Sequence, residues 1–226
     1  MIHPGASSCP RGTSYVVGAM ASDSYDLTGD PSPALGTVLA DGRGSLPFAL
    51  IHGEALVACA AWALGEAGVL PIDDGTPWES VVAAGEPFVL HDPLCPMTPP
   101  EFIAHCVARA VERACVVVGV RPVTDTVKVV TEGVVGETLD RDGLVAVAAP
   151  VVLPPEVVAA LGDLPTDDVM GLVELVAMLR GRYPVELVEA PPAARRVGSQ
   201  DDLRVLEALT AADRSGGPPG PGPRGT

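Results

Sequence analysis

The stretch FVLHDPLCPMTPPEFIAHCVARAVERACVVVGV, residues 88–120, gives the clearest indication of the fold. Its first four residues predict a strand, and CVVVGV at 115–120 is apolar throughout, as expected of a strand buried on both faces of a parallel sheet. Between them, Thr98-Pro99-Pro100-Glu101 has the form of a capping box with proline at the first helical position. The helix that follows places six apolar residues on one face: Phe102, Ile103, Cys106, Val107, Ala110 and Val111. Strand, helix and strand in this order predict a βαβ unit with a right-handed crossover.

The segments on either side continue the alternation of strands and helices. Candidate strands lie at residues 15–20, 37–40 and 185–188, and helical patterns lie at 54–67, 167–179 and 200–212. VTDTVKVVTEGVV at 123–135 has two β-branched runs around a Glu-Gly turn and predicts a β-hairpin. We therefore expect an α/β fold with a mostly parallel sheet and a protruding β-hairpin, with ligands binding beyond the carboxyl ends of the strands.

Length and composition predict one folded domain with flexible terminal segments. The chain has 226 residues, 47% of them hydrophobic, which is enough to bury a sizeable core. Residues 1–12 predict a flexible leader, and the Gly/Pro-rich segment 215–226 predicts a disordered tail. The folded domain is therefore expected at 13–214, with the hairpin arm at about 123–142.

The charge of the chain excludes two classes of partner. Fourteen basic residues against 29 acidic ones give a formal net charge of −15. Nucleic acids and anionic membrane surfaces are both bound mainly through lysine and arginine, so neither is an expected partner. Lys128 is the one lysine. Phosphate recognition must therefore rest on arginine, backbone N–H groups, a metal or this single ammonium group.

Five cysteines, an odd number without CxxC spacing, predict neither a disulfide framework nor a zinc site. They are typical of buried thiols in a reducing compartment. The sequence shows no secretory signal and no uninterrupted run of ~18 apolar residues. We therefore expect a cytoplasmic protein.

Five ordered blocks of sequence resemble the methylerythritol phosphate cytidylyltransferase family of the non-mevalonate isoprenoid pathway. They are VLHDPLCP, PVTDTVK, ETLDRDGL, Thr166-Asp167-Asp168 and ARRVGSQDDL, in that order. In that family the phosphate of methylerythritol phosphate attacks the α-phosphate of CTP and pyrophosphate leaves, with Mg²⁺ and cationic side chains stabilising the charge. The resemblance implies a Rossmann-like nucleotidyltransferase fold in which the hairpin is the dimerisation arm of a homodimer.

The resemblance also implies the site for the acceptor phosphate. Residues that hold methylerythritol phosphate correspond to Asp92, Thr166 and, with arginine in place of lysine, Arg196; Asp92 would also hold Mg²⁺ if the protein is active. Thr126 and Arg141 correspond to residues that reach across from the partner subunit. Plainer interpretations stay open for these residues. Asp92 could cap a turn or a helix, and Thr126 could be an ordinary hairpin residue. Thr166 is also a good helix N-cap, and Arg196 is also an ordinary surface charge.

The nucleotide side of the resemblance is weaker. Leu46 stands where the family's loop has a lysine, and Cys95 stands where the family has an arginine. The Gly-rich phosphate loop is represented either by Gly42-Arg43-Gly44 or by residues 17–20, and the first of these is also an ordinary turn sequence. Residues 78–81 are a short match to a further family segment. Carried over residue by residue, the resemblance implies nucleotide-binding roles for Gly42, Gly44 and Ser80, and catalytic roles for Arg43 and Arg196.

Three hypotheses remain open from the sequence. The leading one is a degenerate family member, a pseudoenzyme with weak or no turnover that keeps the acceptor pocket and binds a small phosphorylated ligand, with CTP as one candidate. The second is an active cytidylyltransferase with a shortened loop, in which Arg43 and Mg²⁺ replace the missing lysine. The third is a non-catalytic dimeric scaffold.

Overall fold

The computed structural model describes residues 33–73, 75–163 and 171–214. In chain order the strands are β1 (Ala34–Val38), β2 (Leu50–Ile51), β3 (Glu54–Ala55), β4 (Val69–Pro71), β5 (Phe88–His91), β6 (Val116–Pro122), β7 (Val127–Thr131), β8 (Val134–Leu139), β9 (Val145–Leu153) and β10 (Val185–Glu189). The helices are α1 (Leu56–Glu66), α2 (Trp78–Ala84), α3 (Pro100–Arg113), α4 (Pro155–Ala160), α5 (Leu172–Arg180) and α6 (Gln200–Arg214). Short 3₁₀ turns lie at Leu46–Phe48, Arg141–Gly143 and Pro192–Ala194.

The centre of the molecule is a six-stranded sheet with the order β10-β6-β9-β5-β1-β4. β1 pairs in parallel with β4 and β5, and β6 pairs in parallel with β10. β9 runs antiparallel to both of its neighbours, β5 and β6. The expected α/β fold with a mostly parallel sheet is therefore confirmed.

The position of β9 departs from the sequence prediction. The β5–α3–β6 unit is present, but β9 is inserted between its two strands, and no strand was predicted there. Pro150 lies inside β9, and a proline normally argues against a central strand because it has no N–H to donate. The β6–β9 register shifts between Val118 and Val120, and this irregularity accommodates the proline.

The hairpin is confirmed, with its arms at β7 and β8. Glu132 and Gly133 at the turn both have positive φ angles, 50° and 79°, as in the tight turns whose twist matches that of two antiparallel strands. Val130, Val134 and Val135 are 62% to 69% exposed on this arm. The arm therefore presents apolar surface away from the central sheet.

Several element boundaries differ from the predictions. The strand expected at 37–40 is β1, which begins at Ala34 and ends at Val38, and the candidate strand at 15–20 lies outside the described residues. The helix expected from residue 54 begins at Leu56, because Glu54 and Ala55 form β3. The helix expected at 167–179 is described only as α5, and its predicted first turn lies outside the described residues.

The predicted capping box at the start of α3 is wrong. Pro99 is the N-cap with φ −63° and ψ 135°, and no side chain caps the helix. A residue that precedes a proline is kept out of the helical region, so the helix begins at Pro100. Thr98 instead donates its hydroxyl to the Cys95 carbonyl over 2.9 Å. Of the predicted apolar face, Val111 is 45% exposed and the other five residues are buried.

Gly36 in the centre of β1 permits the close approach of β1 to its neighbours. A Cβ atom there would lie 2.7 Å from the Val89 carbonyl oxygen in β5 and 2.7 Å from Val69 Cγ1 in β4. Real Cβ atoms do not approach backbone atoms so closely, and a tightly packed sheet cannot easily move apart.

We predict that Gly36→Ala lowers the free energy of unfolding by about 1–3 kcal/mol, measured by urea denaturation. Gly65→Ala is the matched control, because in the described part of the chain a Cβ at this α1 position would contact nothing. Alanine is the better helix former, so the control is expected to stabilise by roughly 0.5–1 kcal/mol. Equal stability of Gly36→Ala and the native protein would contradict this account of the sheet.

Candidate functional site

Asp92 is the first residue after β5 and lies almost fully buried, with 1% of its surface exposed. Its Oδ1 accepts the Leu94 N–H over 3.0 Å and the Arg43 Nε–H over 3.2 Å. Its Oδ2 accepts the Arg196 Nε–H over 2.9 Å. A buried carboxylate requires such partners, because desolvation of an unpaired charge is costly. Three residues that are distant in sequence thus form one charged cluster.

Arg43 reaches the cluster from the turn that follows β1. Gly42 and Gly44 on either side of it have φ angles of 69° and 62°, a region that glycine adopts without strain. The Arg43 side chain is 10% exposed. The candidate loop at 42–44 therefore contributes Arg43 to this cluster, and the other candidate, residues 17–20, lies outside the described chain.

Arg196 reaches the cluster from the segment that follows β10. The 3₁₀ turn Pro192–Ala194 redirects the chain, and the Val197 N–H then donates to the Leu94 carbonyl over 2.8 Å. This bond ties the segment to the loop that carries Asp92. The Arg196 side chain is 43% exposed, so it is the more accessible of the two arginines.

The cluster lies in a cleft of about 300 Å³. The lining residues are Arg43, Asp92, Val147, Gly171, Leu172, Val173, Glu174 and Arg196. Arg43, Asp92 and Arg196 are the predicted site residues among these, and the other five were not predicted. Glu174 is the third residue of α5, and a Cβ at Gly171 would lie 2.6 Å from its Oε2, so the glycine leaves room for this carboxylate. In the sequence, this pair is visible as a glycine three residues before a glutamate at the start of a helix, and that spacing was the signal that could have indicated Glu174.

The other predicted site residues lie elsewhere. Thr126 and Arg141 line a separate cavity of about 480 Å³ at the base of the hairpin, where Arg141 Nη1 donates to the Thr124 carbonyl. Ser80 is exposed on α2, and it is not among the residues that line the cleft. Thr166 lies outside the described residues. Their predicted roles stay predictions.

The two positions at which the resemblance implies a lysine and an arginine carry uncharged side chains in the structure. Leu46 is half-buried in the 3₁₀ turn and packs against the small core formed by Ile51, Leu56, Leu94, Val197, Leu203 and Leu206. Cys95 is fully buried, and its burial, together with the negative charge of Asp92, raises the pKa of its thiol to about 12. Neither side chain supplies positive charge to the cleft.

His91 lies directly before Asp92 and is fully buried at the end of β5. Burial lowers the pKa of its imidazole to about 4, although the charge of Asp92 acts in the opposite direction. The ring is therefore neutral at pH 7, and the positive charge at the cleft comes from Arg43 and Arg196.

The donor set around Asp92 does not fit a magnesium ion. Mg²⁺ requires oxygen ligands, commonly one or two carboxylates together with phosphate oxygens and water. Both Asp92 oxygens accept hydrogen bonds from guanidinium groups, whose charge repels a cation. Over residues 33–73, 75–163 and 171–214, no group of three His, Cys, Asp or Glu side chains is arranged to hold a metal. The metal role of Asp92 stays a prediction.

In the same described ranges, no helix is long and apolar enough to cross a membrane.

Solved structures of similar proteins share this fold. 2-C-Methyl-D-erythritol 4-phosphate cytidylyltransferase from Thermus thermophilus aligns with a TM-score of 0.56 at 22% identity, covering 78% of this chain and 98% of that one. 4-Diphosphocytidyl-2C-methyl-D-erythritol synthase from Anaerococcus prevotii aligns with a TM-score of 0.56 at 15% identity, covering 80% and 97%. The sheet is therefore that of a nucleotidyltransferase fold.

Curated proteins named 2-C-methyl-D-erythritol 4-phosphate cytidylyltransferase are similar in sequence over part of their length. The protein from Saccharopolyspora erythraea is 37% identical over 138 residues, which is 59% of this chain and 59% of that protein. The protein from Corynebacterium glutamicum ATCC 13032 is 34% identical over 175 residues, 71% of this chain and 62% of that protein. The chain thus spans about three fifths of the length of these relatives.

A family model for 2-C-methyl-D-erythritol 4-phosphate cytidylyltransferase matches residues 79–211. This region contains Asp92, the hairpin and Arg196, whereas Arg43 and Leu46 lie before it. It covers more than half of the chain and supplies one of the two arginines on Asp92. On this match, and on the fold that it predicts, the chain belongs to the 2-C-methyl-D-erythritol 4-phosphate cytidylyltransferase family.

Proposed function

We propose that the protein binds a small phosphate ester between Arg43 and Arg196 and that it transfers cytidylyl groups weakly or not at all. The observation that carries this proposal is the way the two arginines bind Asp92. Each guanidinium uses its Nε–H on the carboxylate, and among the described residues no other hydrogen bond of either group is seen. Within the described part of the chain, the Nη–H groups of both arginines therefore have no partner, and a phosphate monoester is suited to paired guanidinium groups.

Charge balance favours a phosphate monoester over a nucleotide triphosphate as the ligand. Two guanidinium groups and the Asp92 carboxylate leave one positive charge at the cluster, and the Glu174 carboxylate in the same cleft brings the net charge of the lining to zero. The triphosphate of CTP carries several negative charges, and its transfer requires preorganised cations along the phosphate chain. Leu46 and Cys95 provide none, and Lys128 lies on the hairpin strand β7.

The active alternative is favoured by the place of Arg43. This residue lies in the turn directly after β1 and lines the cleft, where a shortened phosphate loop would need its cation. In this version the ligands are CTP and methylerythritol phosphate, and Arg43 would have to leave Asp92 and bind phosphate. Both versions of the proposal place the protein in the cytoplasm.

We also propose that the hairpin is the dimerisation arm. Its exposed valines carry this proposal, since an isolated two-stranded hairpin is marginally stable in water and its apolar surface needs a partner. A twofold dimer would bring Thr126 and Arg141 of one protomer near a cleft of the other, as the family resemblance implies.

Three predictions test the proposed function, and the first separates its versions by ligand binding and turnover. Purified protein is expected to bind 2-C-methyl-D-erythritol 4-phosphate in calorimetry but to release pyrophosphate from CTP, with Mg²⁺ present, at least ~10²–10³-fold more slowly than the Saccharopolyspora erythraea relative. Turnover at the rate of that relative would contradict the degenerate version and support the active one. Folded protein that shows neither binding nor turnover would support the third hypothesis, the non-catalytic dimeric scaffold.

The second prediction concerns the two arginines. Arg43→Met and Arg196→Met are each expected to weaken binding of the phosphate ester by about 10–100-fold, because each removes one charge-assisted hydrogen-bonding group. Arg204→Met is the control, since Arg204 is 77% exposed on α6 and pairs with Asp201. An affinity that depends on neither cleft arginine would place the ligand elsewhere.

The third prediction concerns the arm. Val135→Glu is expected to convert a dimer into a monomer in sedimentation experiments at micromolar concentration, because it puts a charge into an apolar contact. Val205→Glu on α6 changes an exposed valine outside the arm and is expected to leave the dimer intact. A monomeric native protein would overturn the proposed dimer.

A further inference from the structure

Ala190 continues β10 by one residue beyond the regular strand. Its N–H donates to the Val120 carbonyl over 2.8 Å, in the parallel register that pairs Glu189 with Val120. This places Ala190 opposite Arg121. In a parallel ladder, a residue donates its N–H to the carbonyl of the residue before the one it faces. Its own carbonyl accepts the N–H of the residue after the one it faces, so the Ala190 carbonyl should accept the N–H of residue 122. Residue 122 is proline and has no N–H, so the ladder ends with an acceptor that lacks its donor.

The Arg121 side chain supplies the missing donor. Its Nη1 donates to the Ala190 carbonyl over 2.7 Å, and the interaction is partly buried. Ala190 is 1% exposed, so an unsatisfied carbonyl at this position would bear the cost of desolvation. The Arg121 guanidinium thus replaces a backbone N–H at the end of the sheet.

The chain that leaves this bond carries Arg196. After Ala190 come Pro191 and the 3₁₀ turn Pro192–Ala194, and the Val197 N–H then bonds to the Leu94 carbonyl beside Asp92. The segment 190–197 is therefore anchored at one end by the β6 backbone together with Arg121, and at the other by the loop that holds Asp92. Two consecutive prolines leave it little freedom between these anchors.

We infer that Arg121 is a positioning residue that sets Arg196 for ligand binding in the cleft. It acts through the Ala190 carbonyl and the segment 190–197, and it does not contact Asp92 itself. The inference rests on the proposed phosphate-ester site for its binding readout, whereas its local structural effect can be measured without a ligand.

The experiment uses three variants and one control. Arg121→Met removes the donor and keeps a long side chain. Arg121→Met combined with Pro122→Ala gives residue 122 an N–H that can bond to the Ala190 carbonyl, and Pro122→Ala alone tests the effect of losing the proline. Arg109→Met is the matched control, because Arg109 also binds β10 through a side chain, at Glu186, four residues before Ala190.

The first readout is hydrogen exchange at the amides of Ala190 and Val197. Arg121→Met is expected to raise exchange at both by about tenfold, the double variant to restore it, and Arg109→Met to leave it unchanged. Unchanged exchange in Arg121→Met would overturn the inference, as would a rise spread evenly over the whole sheet. Failure of the double variant to restore protection would also overturn it.

The second readout is the affinity for 2-C-methyl-D-erythritol 4-phosphate, measured by NMR titration. Arg121→Met is expected to weaken binding about tenfold in the native background and less than twofold when Arg196 is already methionine, because the effect passes through Arg196. An unchanged affinity, or the same tenfold loss in both backgrounds, would overturn the positioning role. If the native protein binds neither this ester nor inorganic phosphate, the proposed function fails, and the exchange at Val197 alone decides whether Arg121 holds the segment.

Discussion

The buried carboxylate of Asp92 is the interaction on which the rest of the site depends. A charge with 1% exposure is stable inside the protein only when its oxygens are paired, and here the partners come from three places in the chain. The turn after β1 brings Arg43, the loop after β5 brings the Leu94 N–H, and the segment after β10 brings Arg196. The cluster therefore fixes the relative positions of three loops at one edge of the sheet.

The topology explains why these loops meet. β1 and β5 are adjacent and parallel, so their carboxyl ends lie side by side, and the chain leaves both strands at the same edge. β10 lies at the far side of the sheet, beyond β9 and β6, and its chain must cross back to reach Asp92. The conformation of this returning segment is restricted by the prolines at 191 and 192 and by the hydrogen bond from Val197 to Leu94.

Much of this arrangement could be predicted from local sequence, and the failures have physical causes. The apolar run of β6 and the hairpin turn at Glu132-Gly133 were recognisable because burial and turn geometry demand particular residues there. β9 was not, since its bulge tolerates a proline that the local pattern forbids. The pairing of Arg43 with Asp92 was also beyond reach, because 49 residues separate them and only the adjacency of β1 and β5 brings them together.

The end of β6 connects the hairpin arm with the segment that leads to Arg196. Arg121 and Pro122 are the last residues of that strand, and the hairpin arm begins directly after them. Pro122 removes a backbone donor, and Arg121 restores it to the carbonyl from which the Arg196 segment departs. The strand that leads into the arm therefore also holds the start of the segment that carries Arg196. The two features share this pair of residues, and the contact that joins them is the hydrogen bond from Arg121 to the Ala190 carbonyl.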